Sequence, residues 1–148
     1  MNINKKNSEI YLEKAKIVAS IMNLADFMYE KNDLSSRTAA ILIYFNLIEY
    51  LLCFMVRNIK INIQTNEFEK EALGGKIKLL NSEKINFYEK EKLIDVLNKF
   101  NVHRIKITHY IVDAIFDKKM TEHLIQIKQN FDELNKIIVS IVKNYNIT

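Results

Sequence analysis

The sequence predicts an all-α protein, an up-and-down bundle of four to five helices. Three observations predict it. In 148 residues there is no proline and only two glycines, adjacent at Gly74 and Gly75, so almost nothing interrupts a helix. Apolar residues recur at spacings of three, four and seven through most of the chain, the period of a helix with one buried face. The composition, 49% apolar and 27% charged, is that of an ordinary globular chain. Its length fits one domain, residues 1–148, with enough chain to bury a real core.

The elements follow in order. Ile10, Ile17, Ile21, Leu24 and Met28 share one face of a helix from about Ser8 to Lys31. Ser35 is placed to cap a second helix that runs to about Ile61. The polar stretch QTNEFEKEALGG then closes on the glycine pair, with room for a short turn of helix. Lys76 to Leu80 reads as a brief third helix. Ser82 is placed to cap the next, which carries Leu93, Ile94, Val96, Leu97 and Phe100. Around Asn101 the pattern becomes ambiguous; a helical segment resumes to Phe116 with Ile107, Ile111, Ala114 and Ile115 on one side. DKKMT predicts a break. The last helix, about Thr121 to Tyr145, repeats Leu124, Phe131, Leu134, Ile138, Ile141 and Tyr145 at helical spacing. Long amphipathic helices on short links pack as a bundle.

The run from Thr38 to Val56 is nearly long enough to cross a bilayer, but Asn46 and Glu49 stand in its middle. A central acidic residue in lipid costs about 2.5–3.5 kcal/mol even on lenient scales. The expectation is a helix buried in the bundle or partly in a dimer interface, no membrane, and partners for Asn46 and Glu49. A lone cysteine, Cys53, has no internal disulfide partner, and MNINKKNSEI lacks the apolar core of a secretory signal, so a cytoplasmic location is expected. The net charge of +4 is mild and reads first as a solvated surface.

Chemistry concentrates in LNKFNVHRIKITHYIVD, where Lys99, His103, Arg104, Lys106 and His109 lie with no acid between Asp95 and Asp113. An arginine and a histidine together suffice to cleave RNA without a metal. The imidazole moves a proton to or from the ribose hydroxyl or the leaving oxygen, and the guanidinium stabilises the charged phosphorane. Five residues on a continuous helix turn through roughly 140°, so Arg104 and His109 share a phosphate only at an irregular turn or across a dimer interface. Asp113, four residues after His109, is spaced to fix its tautomer, and Thr108 stands in the same relation to Arg104. Each pair also fits a routine surface contact.

Arg104-Ile-Lys-Ile-Thr-His109, after a long helix ending in Phe100-Asn101, resembles the R-x4-6-H signature of HEPN domains. Leu73-Gly74-Gly75-Lys76-Ile77-Lys78-Leu79-Leu80 resembles the glycine-started short helix found before that motif. The resemblance implies a helical bundle that dimerises so that two motifs face each other across one cleft for RNA. It implies a metal-independent endoribonuclease, a toxin paired with a nucleotidyltransferase-type antitoxin or a part of a defence system, with Arg104 on the scissile phosphate and His109 as acid or base. The family usually places a polar residue directly after the arginine. Here that residue is Ile105, with Asn101 or His103 as replacements, and domains lacking the full motif act as binding or dimerisation modules.

Other motifs carry less. Gly74-Gly75-Lys76 has neither a following Ser or Thr nor a preceding strand, so it reads as a helix stop rather than a phosphate loop. His103, His109 and His123 form no metal-ligand pattern; no metal, no cofactor and no DNA are expected. Cys53, in the most apolar stretch, reads as a small core residue. His123 is expected at the solvent surface. Phe27, Phe45, Phe54, Phe87, Phe100, Phe116 and Phe131 fall in helical patterns and read as core rather than base-stacking residues.

Overall fold

The computed structural model describes residues 3–110 and 118–146, with side chains at 9, 10, 12–109 and 120–145. Among the described residues there are six helices and no strand: α1 (Ile3–Glu30), α2 (Leu34–Asn58), α3 (Thr65–Lys70), α4 (Leu73–Leu80), α5 (Lys90–Tyr110) and α6 (Lys118–Asn146). The all-α class predicted from the sequence is the class observed. The chain forms two compact units, Met1–Leu47 and Ile48–Thr148, so α2 gives its first half to one and its second half to the other.

In the first unit the cap of α2 is Asp33, not Ser35. The Asp33 Oδ1 accepts the Ser36 backbone N–H at 2.7 Å, satisfying a donor that the first helical turn leaves free. That bond, with help from the Ser36 hydroxyl, holds the Asp33 carboxyl below the usual carboxylate range. The Tyr44 hydroxyl donates to Asp26 at 2.5 Å, and Arg37 Nε donates to the Tyr29 carbonyl at 3.2 Å with its guanidinium 5.3 Å from the Tyr29 ring centre. Of the predicted inner face of α1 only Met28 is partly covered: Ile10, Ile17, Ile21 and Leu24 are exposed, and Phe27, read as a core residue, is 62% exposed. The more covered stripe is the half-buried Val18, Met22 and Tyr29 with the buried Ala25, about 100° around the helix.

The apolar core of α2 is as expected, with Ala40, Ile41, Tyr44, Leu47, Ile48, Leu51, Leu52, Met55 and Val56 all buried. By length and composition alone α2 is apolar enough to cross a membrane, and half of its most apolar window is buried. Asn46 is exposed, and its Nδ2 donates to the Leu42 carbonyl one turn back at 2.9 Å. Cys53 is half-buried, and burial pushes its thiol up, away from the reactive thiolate.

In the second unit Arg57 at the end of α2 pairs with Glu69 of α3. Lys76 is almost wholly buried, yet its ammonium donates to the carbonyls of Glu69 and Glu71 and lies 5.7 Å from the Phe68 ring centre. Those carbonyls at the end of α3 are acceptors that the helix itself leaves free. Gly74 and Gly75 do not stop a helix: both lie in the first turn of α4 with ordinary right-handed backbone.

Ser82 does not cap a helix either. Its carbonyl accepts the Ile85 N–H at 3.0 Å in a turn, and residues 85–87 are in neither helix nor turn. Ile85 and Phe87 point inward and Asn86 and Tyr88 outward, a period of two that the surrounding helical pattern conceals. Lys90 pins this link, its Nζ donating to Ser82 O at 2.8 Å and Ile85 O at 2.5 Å. Glu89 has φ 56°, the left-handed region that favours glycine. It turns the chain into α5.

The ambiguity at Asn101 resolves into continuity, since α5 runs unbroken from Lys90 to Tyr110. Four of the five residues of the predicted break DKKMT are helical, because α6 begins at Lys118, and Asp117 lies outside the described residues. Ile111, Ala114, Ile115 and Phe116 lie outside the described residues. The most extensive helix pairing is between α5 and α6. Leu93, Leu97, Phe100 and Ile107 from α5 and Leu124, Ile127, Phe131, Leu134, Ile138 and Ile141 from α6 are all essentially buried. Contacts near both ends, His103 with His123 and Tyr88 with Val139 around one hollow, make the two helices antiparallel.

Candidate functional site

The sequence-predicted residues fall on the last three turns of α5, and the unbroken helix decides how they are aimed. Arg104 and His109 are mid-helix and late-helix residues of the same element, so their side chains leave it roughly 140° apart. No irregular turn reconciles them. His109 is exposed, as are Ile105, Lys106 and Thr108; His103, Arg104 and Asn101 are half-buried. Asp113 lies outside the described residues.

Asn101 and Arg104, three apart, share a face. The backbone of α4 approaches Asn101 closely at Gly74, where an added Cβ would lie 3.9 Å from Asn101 Nδ2. Asn101 Oδ1 and Arg104 Nε are both buried without a hydrogen-bond partner. A buried unmet donor costs roughly 1–3 kcal/mol, so the helix holds a desolvated and unsatisfied guanidinium nitrogen. The Thr108 hydroxyl does not orient this guanidinium; it donates back to the Arg104 carbonyl at 2.5 Å. Lys99 is drawn away from the group by Asp95, at 2.7 Å on the exposed side of the helix, and this bond raises its pKa.

One partnership escaped the sequence. His123 of α6 is half-buried rather than solvent-exposed, and its Nδ1 lies 2.9 Å from His103 Nδ1, with ring centres 5.2 Å apart and planes tilted by 50°. A hydrogen bond between two Nδ1 atoms has one proton between them, so one ring donates and the other must be neutral there. Burial, then the charges of His123 and Lys106, lower the His103 pKa below the ordinary imidazole value of 6.5. The pair therefore offers a neutral imidazole at physiological pH and a path for a proton between α5 and α6. The only sequence signal for it was two histidines at the facing ends of two adjacent helices.

Among the described residues no three His, Cys, Asp or Glu side chains gather as metal ligands would. The chemistry available on α5 is that of a guanidinium, imidazole and amide groups, suited to binding an anion and moving protons. No family model matches the chain, and neither a curated protein nor a solved structure matches it.

Proposed function

We propose that the chain is a HEPN-type, metal-independent endoribonuclease that works as a homodimer, with Arg104 and His109 as its essential pair. The observation that carries this reading is Arg104 itself, a half-buried guanidinium whose Nε has no partner, five residues before an exposed histidine. A phosphate oxygen is the acceptor that would fit it. Because the two side chains diverge along α5, each site needs Arg104 from one copy and His109 from a second. In such a site the guanidinium binds the non-bridging oxygens of the scissile phosphate. His109 takes the proton of the ribose 2′-hydroxyl, whose oxygen attacks phosphorus and expels the 5′-oxygen, and the protonated His109 returns that proton to the leaving oxygen. The products are a 2′,3′-cyclic phosphate and a 5′-hydroxyl. Asn101, His103, Lys106, Thr108 and Asp113 are the supporting residues of this reading. The same reading extends to a toxin or defence role in the cytoplasm, held silent by a nucleotidyltransferase-type antitoxin.

The test is incubation of purified protein with end-labelled RNA in EDTA. Arg104→Ala and His109→Ala should each lower cleavage by at least about 100-fold while leaving the fold intact. Refolding the two inactive variants together should restore part of the activity, since a mixed dimer holds one site with both residues. Activity lost in the single variants and not regained in the mixture would place both groups in one chain and sink the shared site.

A second reading is favoured by the exposed Ile105 and by the 140° divergence. It is a non-catalytic HEPN-like module that binds RNA, a nucleotide or a partner protein through the same basic stretch. Binding without cleavage, at high protein concentration and with the dimer verified, would select it.

A further inference from the structure

At the end of the α5–α6 pair away from Arg104 and His109 lies an open hollow of about 420 Å³, within the size range of small-ligand pockets. Its walls are Tyr88 and five residues of α6: Lys136, Val139, Ser140, Lys143 and Asn144. The α6 residues are spaced three, one, three and one apart, so they form a single stripe along the helix. None of the six is acidic, and the sequence carries no Asp or Glu after Glu133. The two ammonium groups start about 10 Å apart along the helix axis. Lysine in a last turn also complements a helix dipole, which accounts for Lys143; Lys136, two turns further in, has no such role.

The backbone that carries the aromatic wall is fastened on both sides of Tyr88. Tyr88 is 46% exposed, but its neighbour Phe87 is buried, and two residues before that Ile85 is buried as well. Lys90 fastens the link through the carbonyls of Ser82 and Ile85, and Glu89 is held in a left-handed conformation immediately after the tyrosine. Such strain on a non-glycine residue persists where the surroundings impose it. Here it presents an aromatic ring to solvent beside two cations.

We propose that this hollow binds one nucleotide. The base lies against the Tyr88 ring and the Val139 methyl groups, and the phosphate sits between the Lys136 and Lys143 ammonium groups. Ser140 and Asn144 supply hydrogen bonds to the ribose or base edge. Aromatic stacking beside a positive surface is the combination by which proteins hold single-stranded nucleic acid without reading its sequence. The nucleotide can come free in solution or as one residue of a single RNA strand. The site is independent of the proposed cleavage: it lies about 25 Å along α6 from His123 and would remain if the chain cut nothing.

The test is titration of the ¹⁵N-labelled full chain, in EDTA, with AMP, with a single-stranded RNA tetranucleotide and with inorganic phosphate. AMP and the tetranucleotide should shift the amides of Tyr88, Val139, Ser140 and Asn144. Tyr88→Ala and the double variant Lys136→Gln/Lys143→Gln should each weaken binding about tenfold. Arg104→Ala and His109→Ala should leave AMP binding unchanged. Tyr88, Lys136, Lys143 and His109 are exposed and Arg104 is half-buried, and circular dichroism checks that each variant folds. A tetranucleotide that binds at least tenfold more tightly than AMP identifies the strand as the source; equal affinity identifies the free nucleotide. The proposal is overturned if neither ligand moves these amides, or if inorganic phosphate binds as tightly as AMP and Tyr88→Ala changes nothing.

Discussion

The two ends of the α5–α6 pair use polar residues in opposite ways. At the end near the α5 C-terminus, His103 and His123 meet inside the seam, and the Arg104 Nε and Asn101 Oδ1 are buried without partners. At the other end Lys136, Lys143 and Asn144 are exposed around a hollow. Buried polar groups reduce stability unless satisfied, whereas exposed ones are nearly neutral. The first end therefore sacrifices stability where the sequence has its R-x4-H motif, and the second offers cationic surface at little expense. Next to the hollow it is Glu89 that carries the cost, with a left-handed backbone and an Oε2 buried without a partner.

The comparison breaks if the two ends do not belong to one folded body, and the largest predicted effect tests that. Phe100 is wholly buried in the apolar stretch of the seam. Phe100→Ala should destabilise the protein by about 3–5 kcal/mol, read by urea denaturation, and amides at both ends should lose protection together. Loss at one end only would mean that the ends unfold independently.

The next effect sharpens the contrast through pH. His103 has a folded-state pKa below 6.5, so the folded protein resists a proton that the unfolded chain accepts. The stability linked to neutral His103 is complete above pH 6.5 and is lost as pH falls through the lower folded value. The melting temperature should drop between pH 7.5 and pH 5, and His103→Gln should flatten that drop. Asp33 does not interfere: its carboxyl is depressed below 3.8, so its contribution persists until the pH falls well under that window. An unchanged slope in the His103 variant would show that the imidazole pair is not the sensor.

The smallest effect concerns Arg104. Replacing a guanidinium that has an unmet buried nitrogen with an apolar chain of similar length removes the penalty, so Arg104→Met should stabilise the protein by up to about 1 kcal/mol. Thermal melting beside the RNA assay should show a more stable and inactive protein, the pattern of a residue kept for function. A destabilised Arg104→Met would instead make the arginine a structural one.

Much of the fold is legible in the sequence because helical periodicity is local. The spacing of Leu124, Phe131, Leu134, Ile138 and Ile141 finds α6 and its buried face directly. The errors have physical causes. Ser82 has the chemistry of a helix cap, but the buried alternation of Ile85 and Phe87 and the reach of Lys90 win over it. Asp33 and Ser35 are both good caps, and only the backbone geometry chooses between them. In α1 the apolar residues outnumber the places where they can be covered, so periodicity picks a stripe one residue away from the buried one. The site is legible in part: the sequence locates Arg104 and His109, but the continuity of α5 that separates them depends on packing. The His103–His123 pair, twenty residues apart, exists only once the helices are in register. Tyr88 escaped for the same reason, since its partners lie five turns or more into α6.

The order in which the second unit is made has a bearing on its most apolar helix. Leu51, Leu52 and Met55 are buried in a unit that also includes α6, which begins 60 residues after α2 ends. At typical ribosomal speeds that is roughly 3–12 s of synthesis. During that interval a strongly apolar helix exists without the full unit it belongs to, as a client for any chaperone that recognises exposed hydrocarbon. The α5–α6 hairpin, with only seven residues between its helices, then closes on the microsecond scale of local folding events. Elongation, rather than the folding of the last hairpin, sets how long the nascent protein needs protection.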